Sequence, residues 1–564
     1  MKILINNGRV MIKGSTILGK NDEPAPPPII PTYALRDVGP AGGLICYINP
    51  NYIADGWKYL EASQVSGGQY EWSDVETLLG TTSSDVGEGL DNTSKILGQS
   101  GYDSANSGAS ICNEWVERTF DDWFLPSLDE LEIMYDELHA HGVGNFPTTT
   151  SYWSSTESDA GNSFRFSFGS NYSNARGKDT HYFARPLRRF TYIDTYRITY
   201  NGNENTAGSV PSDTTYYNRG SDVTIAAGTG LINNTDAFIG WNTRSDGFGT
   251  DYSASSTLVI GENTTLYAKY ASATIAFLPD TQSYVHYSEE VMTDQINYLV
   301  SNKSSLNLAF VGHEGDVVQD SSDSSEWVFA RTEMTKLGTA SIPYSVLPGN
   351  HDYLAAGVRT NTTFNSYFPL SVFQGMATYE GAYNTDSDNT YHIVSINEND
   401  LLVISLEFGA RGAVLTWANG ILAANSTIPA IIITHAYIGI NGEPLESDDN
   451  HAPSNGYGLG TVPADVNDGS DIWTTLVYPN NNVKLVMSGH DGSPSVGAKL
   501  KTSTHADGST VYQLLSNYQY YGDYPGYLTL FRFNSSKVYF RTYSPTLEEF
   551  KEDDQSQGEW SWTW

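Results

Sequence analysis

The chain has 564 residues, with 65 Asp and Glu against 30 Lys and Arg and a formal net charge of −35. Such a surface repels nucleic-acid backbones, so no nucleic-acid partner is expected. At 39% hydrophobic and 13% aromatic content the chain is not disordered, and its length suits about three or four domains.

Only two cysteines occur, Cys46 and Cys112, too few for a disulfide framework. Both lie in apolar runs and read as buried free thiols rather than a bridge. No segment reaches the roughly 20 apolar residues that cross a bilayer, so no membrane span is expected. The N-terminal stretch lacks the apolar core of a secretory signal.

Residues 1–20 alternate short apolar and polar groups around Asn-Gly and Lys-Gly turns, as a small hairpin or an anchoring tag would. Residues 21–33 follow with Pro24, Pro26, Pro27, Pro28 and Pro31, a composition of semi-rigid linkers.

Residues 34–190 read as one large α+β domain. Two strands are expected around "GLICYI" and "WKYLEAS", and a helix around "GASICNEW". A second helix should begin after Pro126, with Ser127 and Glu130 forming a capping box. Short strands with polar turns should follow. The marks Trp123-Phe124-Leu125-Pro126-Ser127, Trp153-Ser154-Ser155-Thr156-Glu157 and Ala184-Arg185-Pro186 resemble a bacterial and phage domain of C-type-lectin-like or sulfatase-modifying-factor-like fold. That resemblance implies a target-binding domain with Trp123 and Trp153 in its core. The turn around Asn171–Lys178 is the candidate recognition surface, through Asn171, Tyr172, Asn174 and Arg176. Aromatic, amide and guanidinium groups stack on and hydrogen-bond a cell-surface glycan or a protein receptor.

Residues 191–270 read as short strands split by Gly and Asn turns, a small β-rich spacer of β-grasp-like type. Tyr200-Asn201-Gly202, Phe238-Ile239-Gly240-Trp241-Asn242 and Leu266-Tyr267-Ala268-Lys269-Tyr270 resemble the B repeats of internalin-type surface proteins. Trp241 is expected in the core.

Residues 271–550 carry five short motifs, each closing an apolar run. They are Asp280-Thr281-Gln282 after "TIAFLP", Gly315-Asp316 in "LAFVGHEGDVVQD" and Gly349-Asn350-His351-Asp352 after "IPYSVLP". His435 in "AIIITHAY" and Gly489-His490-Asp491-Gly492 after "VKLVMS" complete the set. Short β-branched runs ending in Asp, Asn or His read as buried strands whose carboxyl ends carry ligands. Oxygen donors and imidazoles together suit Mn, Fe or Zn. An amphipathic helix is expected over 287–302, and Met334 and Leu337 belong to another. The acidic, Gly-rich insert after His435 is expected beside the metal site, as a lid or substrate-binding loop; His451 within it could reach the site but reads rather as an exposed loop residue. The acidic, Trp-rich tail 551–564 is expected to dock on a neighbouring surface or subunit.

In order and type the five motifs resemble the calcineurin-like metallophosphoesterases. The resemblance implies an α/β four-layer sandwich and two divalent metals about 3.5–4 Å apart that clamp a phosphate for in-line attack. It makes Asp316 the bridging ligand, with Asn350, His435 and His490 completing one site and Asp280 ligating the other. His351 would protonate the leaving oxygen, with Asp352 orienting its ring. Gln282 and Gly492 stand where that family carries imidazoles, both at the same metal position. One tight and one weaker metal site are therefore expected, with Gln282 as a weaker ligand.

The chain thus reads as multidomain: a lectin-like binding domain, a repeat spacer and a metal-dependent phosphoesterase. The expected setting is a phage virion or tail, outside the cell, with a homo-oligomer or virion neighbours as partners. The alternatives are a catalytically inactive adhesin or structural virion protein, and a bacterial cell-surface protein.

Overall fold

The computed structural model describes residues 4–6, 9–11, 32–75, 77–99, 107–147, 149, 151–191, 195–354, 362–455, 457, 459 and 465–564. The strands Leu4–Asn6 and Arg9–Met11 pair antiparallel. The proline cluster of the expected linker lies outside the described residues. The chain divides into two compact units. One takes in Met1–Asn203, Ser209–Gly228 and Gly240–Ala268, the other Glu204–Gly208, Thr229–Ile239 and Lys269–Trp564.

In the first unit, Leu44–Ile48, Tyr59–Ala62 and Leu187–Phe190 form a three-stranded sheet. A five-stranded sheet is centred on Ser151–Glu157. The helix Leu128–Glu137 starts on a capping box in which Ser127 and Glu130 satisfy each other's amides. Trp123 and Trp153 are buried. Cys46 and Cys112 are free, and each is buried in a different apolar cluster. Arg188 is buried between Glu61 and Asp122, at 2.8 Å from each. A buried guanidinium needs such partners, because desolvation penalises an unpaired charge.

The segment expected as a recognition turn is a strand instead, Tyr172–Gly177, at the outer edge of the five-stranded sheet. The turn falls one step earlier, at Asn171, whose φ of 48° suits an asparagine. Tyr172, Asn174 and Arg176 alternate along that strand and share one face. Lys178, just beyond, is fully buried, 2.8 Å from Glu157 and over the ring of Trp72. In the repeat region, Ile198–Asn201 pairs parallel with Thr264–Tyr270. Trp241 is buried, its indole N–H donating to the Ala226 carbonyl at 2.8 Å.

The second unit is built on two seven-stranded mixed sheets. In one, Ala273–Leu278, Leu308–His313 and Tyr344–Val346 run parallel. In the other, Asn399–Leu406, Ala430–Thr434, Val483–Ser488 and Thr510–Ser516 run parallel. The two sheets share an apolar core that includes Ile275, Phe277 and Phe310 from the first and Ile431, Leu485 and Met487 from the second. These strands are buried on both sides, which is why they read as continuous apolar runs. The helix Gly412–Ala424 covers the far face of the second sheet with Val414, Leu415, Ala418 and Leu422. The helix Glu289–Ser301 buries Val291, Met292, Ile296 and Leu299, and Ser324–Thr339 buries Met334 and Leu337.

The tail corrects the sequence reading. Gln557–Ser561 pairs antiparallel with Lys537–Ser544, adding a strand to the first sheet. Trp560 and Trp562 are buried in the core between the sheets, and Trp560 stacks on Tyr512 at 3.9 Å. These indoles cover Phe531, Phe533 and Phe540, which water would otherwise reach.

Candidate metal centre

Parallel strands bring their carboxyl ends to one edge of a sheet. Here both sheets do so together. Asp280, Asp316 and Asn350 follow the strands Ala273–Leu278, Leu308–His313 and Tyr344–Val346 of one sheet. His435 and His490 follow Ala430–Thr434 and Val483–Ser488 of the other. Two glycines make the approach possible. A Cβ at Gly349 would lie 2.2 Å from Asp316 Oδ1, and one at Gly489 would lie 2.0 Å from Asp280 Oδ1. Asp316 and His490 themselves hold φ of 49° and 71°, left-handed backbone that a non-glycine residue adopts at a cost.

The ring nitrogens can be assigned from their partners, because a carbonyl only accepts. His435 Nδ1 lies 2.9 Å from the Glu314 carbonyl and therefore carries hydrogen. His490 Nε2 lies 2.9 Å from the His451 carbonyl and does likewise. The lone pairs left on His435 Nε2 and His490 Nδ1 face each other at 3.2 Å. Asp316 Oδ2 is 3.2 Å from His435 Nε2, and Asn350 Oδ1 is 3.0 Å from it. Asp316, His435 and His490 offer ligand atoms all within 4.8 Å of one another. Once His435 Nε2 gives up the proton that Asp316 favours there, four acceptors converge with no donor among them, an arrangement that a cation satisfies. The donor set therefore fits a divalent metal.

The electrostatics agree. Burial works against charge on His435, but the carboxylates of Asp316 and Asp280 outweigh it and push the ring up to about 9. Burial also pushes Asp280 up to about 8, with the charge of Asp316 adding to it. A positive charge at this point relieves both.

Asp280 is fully buried. Its carboxylate accepts the His490 amide at 3.0 Å, Asn517 Nδ2 at 2.8 Å and Gln519 Nε2 at 3.1 Å. Asn517 and Gln519 thus hold Asp280 in place. Among the described residues, buried Gln282 Oε1 has no hydrogen-bond partner, and Gln282 lines the pocket. Tyr520 stands between the two positions that lack imidazoles. Its hydroxyl is 3.5 Å from Gln282 Nε2, and its ring lies 3.4 Å from where a Cβ at position 492 would sit. His313 is buried against Thr281 Oγ1 at 3.0 Å, behind the site.

One assignment changes. Asp352 does not orient the His351 ring. Its carboxylate accepts the amides of Val317, Val318 and Gly349, tying the second and third motif loops together. Those amides are the nearest donors to a fully buried carboxylate, and they take up its lone pairs. His351 is held by the Gln319 carbonyl, 2.8 Å from Nδ1, which leaves Nε2 as the ring's free position. His351 lines a cavity of about 270 Å³ together with Gln282, Asp316, Asn350, His490 and Tyr520. His451 lines it too, with Nδ1 2.7 Å from Asp491. The insert therefore reaches the site, as its position after His435 implied, and His451 is not the plain exposed loop residue that was expected.

Residues 273–494 match the family described as Calcineurin-like phosphoesterase, and residues 196–269 match the Listeria-Bacteroides repeat domain. A Bacillus subtilis (strain 168) protein, YvnB, is 30% identical over 287 residues. That match takes in 49% of this chain and 20% of YvnB, so the chain spans about a fifth of the length of this curated relative. Among solved structures, the purple acid phosphatase PPD1 of yellow lupin is similar at a TM-score of 0.35 and 10% identity. It covers 62% of this chain and 68% of its own. GAP50 of Plasmodium is similar at 0.31 and 10% identity, covering 51% and 89%. The chain thus carries a C-terminal calcineurin-like metallophosphoesterase domain with a Listeria-Bacteroides repeat upstream of it.

Proposed function

We propose that the second unit hydrolyses a phosphoester with the help of divalent metal held by Asp316, Asn350, His435 and His490, and more weakly by Asp280 and Gln282. The observation that carries this reading is the convergence of four acceptor atoms at the mouth of a cavity. A divalent cation there supplies Lewis-acid stabilisation of a phosphoryl group. The chain's own residues do the rest. His351 lines the cavity, and with Gln319 fixing Nδ1 its Nε2 would hand a proton to the leaving oxygen. Tyr520 and Gln282 also line the cavity, and their hydroxyl and amide would hydrogen-bond phosphate oxygens. The first unit would recognise a surface glycan or protein through Tyr172, Asn174 and Arg176, so that the hydrolase acts outside a cell, in a virion or on a bacterial surface.

The test is elemental analysis of the purified chain, followed by assay of phosphomonoesters and phosphodiesters with Mn, Fe or Zn. Metal near one per chain with metal-dependent turnover is expected. No turnover of any phosphoester would leave a binding or structural protein, the reading that Gly492 and Gln282 favour.

A further inference from the structure

His490 and Asp491 are adjacent in sequence, and both contact the same residue of the insert. The ring of His490 donates from Nε2 to the backbone carbonyl of His451 at 2.9 Å. The carboxylate of Asp491 accepts from His451 Nδ1 at 2.7 Å, and its other oxygen accepts the Ile440 amide at 2.8 Å. Asp491 is buried to 7% side-chain exposure, while His451 is 52% exposed. The ring of His451 is therefore held by one buried carboxylate, with an edge contact to the His490 ring at 5.9 Å. Asp491 occupies the position between His490 and Gly492, where it could have faced the metal point. It faces the insert instead.

We propose that Asp491 and His451 form a brace that sets the tautomer and orientation of His490. They are positioning residues for the metal centre, acting through the His451 carbonyl. A carbonyl at Nε2 forces hydrogen onto that nitrogen and leaves the lone pair on Nδ1, which faces His435 and Asp316. The carbonyl belongs to a long loop, and a loop positions a group only as well as it is tied down. Asp491 supplies two of the ties, one at Ile440 near the loop's start and one at His451 itself, while the buried Ala452 and the Ser454–Asp468 hydrogen bonds anchor the chain just beyond. The insert is thereby part of the metal centre and not merely a cover over it. The proposal rests on His490 being a metal ligand, as in the proposed function.

The test measures Mn²⁺ binding to the full chain by calorimetry, with no substrate present. Asp491→Asn and His451→Ala should each weaken Mn²⁺ binding by roughly 10–100-fold, the usual cost of losing a group that orients a ligand. The double variant should bind no more weakly than the weaker single one, because both changes release the same carbonyl. His451→Gln, whose amide can still donate to Asp491, should recover most of the affinity. In nitrogen-15 spectra of the imidazoles, His490 should lose its single tautomer in His451→Ala, a change that a merely structural role would not produce. Unchanged affinity in both singles, or losses that add in the double, would overturn the brace. If Asp491→Asn fails to fold, the exposed position 451 decides alone. A wild-type chain that binds no Mn²⁺ would instead refute the metal centre itself, whereas binding without turnover would leave the brace standing and refute the hydrolase.

Discussion

At the scale of single residues, the metal point is a problem of charge. Asp280, Asp316 and Asp352 are all buried within one set of loops, and each raises the cost of ionising its neighbours. Asp352 meets that cost with three backbone amides, although burial and the Asp316 charge still push it up to about 7. Asp316 has the opposite balance: burial would raise it, but His435 beside it holds it below the usual carboxylate range. His351 stands apart, touching none of the converging acceptor atoms through its ring. His351→Ala should therefore keep its metal while losing roughly 10²–10⁴-fold in rate on an ester with a poor leaving group. With nitrophenolate as leaving group the loss should shrink, since little protonation is needed. Equal losses on both substrates in steady-state assays would count against a proton donor.

Single elements carry their own tests. The helix Leu128–Glu137 carries in its first turn Glu130, which is fully buried and which burial pushes up to about 7 despite amide hydrogen bonds from Ser127 and Gly87. Its folded value lies above the unfolded value of 4.5, so the folded chain holds this proton more tightly. The stability that follows is full below about 4.5 and is lost as pH rises through about 7. Replacing Glu130 with Gln should remove that dependence. Unfolding free energies from urea titrations at pH 4.5 and 7.5 should then change between the two pH values by amounts that differ between wild type and variant by on the order of 3 kcal/mol. Parallel pH profiles would mean that Glu130 ionises freely. The C-terminal strand Gln557–Ser561 offers a second test. Trp560→Ala or Trp562→Ala opens the core between the sheets and should cost about 3–5 kcal/mol, read as a lowered melting temperature. A tail that merely docked elsewhere would melt unchanged.

For the whole molecule, the net charge of −35 and the division into two units bear on how the chain would meet a target. The edge strand Tyr172–Gly177 presents Tyr172 and Arg176 to solvent. Their side chains support no core, so changing both to alanine should leave the melting curve of the first unit intact while abolishing attachment to target cells. Attachment that survives in a pull-down with labelled cells would return both residues to plain surface.

Sequence by itself determined the candidate ligands, because each follows a strand whose β-branched run is legible in one dimension. Asp280, Asp316, Asn350, His435 and His490 are all of this kind, and so are the capping box at Ser127 and the buried indoles of Trp123, Trp153 and Trp241. Tertiary structure alone decided what those residues touch. Asp352 turned to amides of another motif loop, Asn517 reached back to Asp280, His451 came to Asp491, and the tail indoles closed the core. Each of these depends on the path of a loop or on a pairing between distant segments. A local pattern encodes the strand and the residue that ends it, but not the partner that a folded loop carries to it.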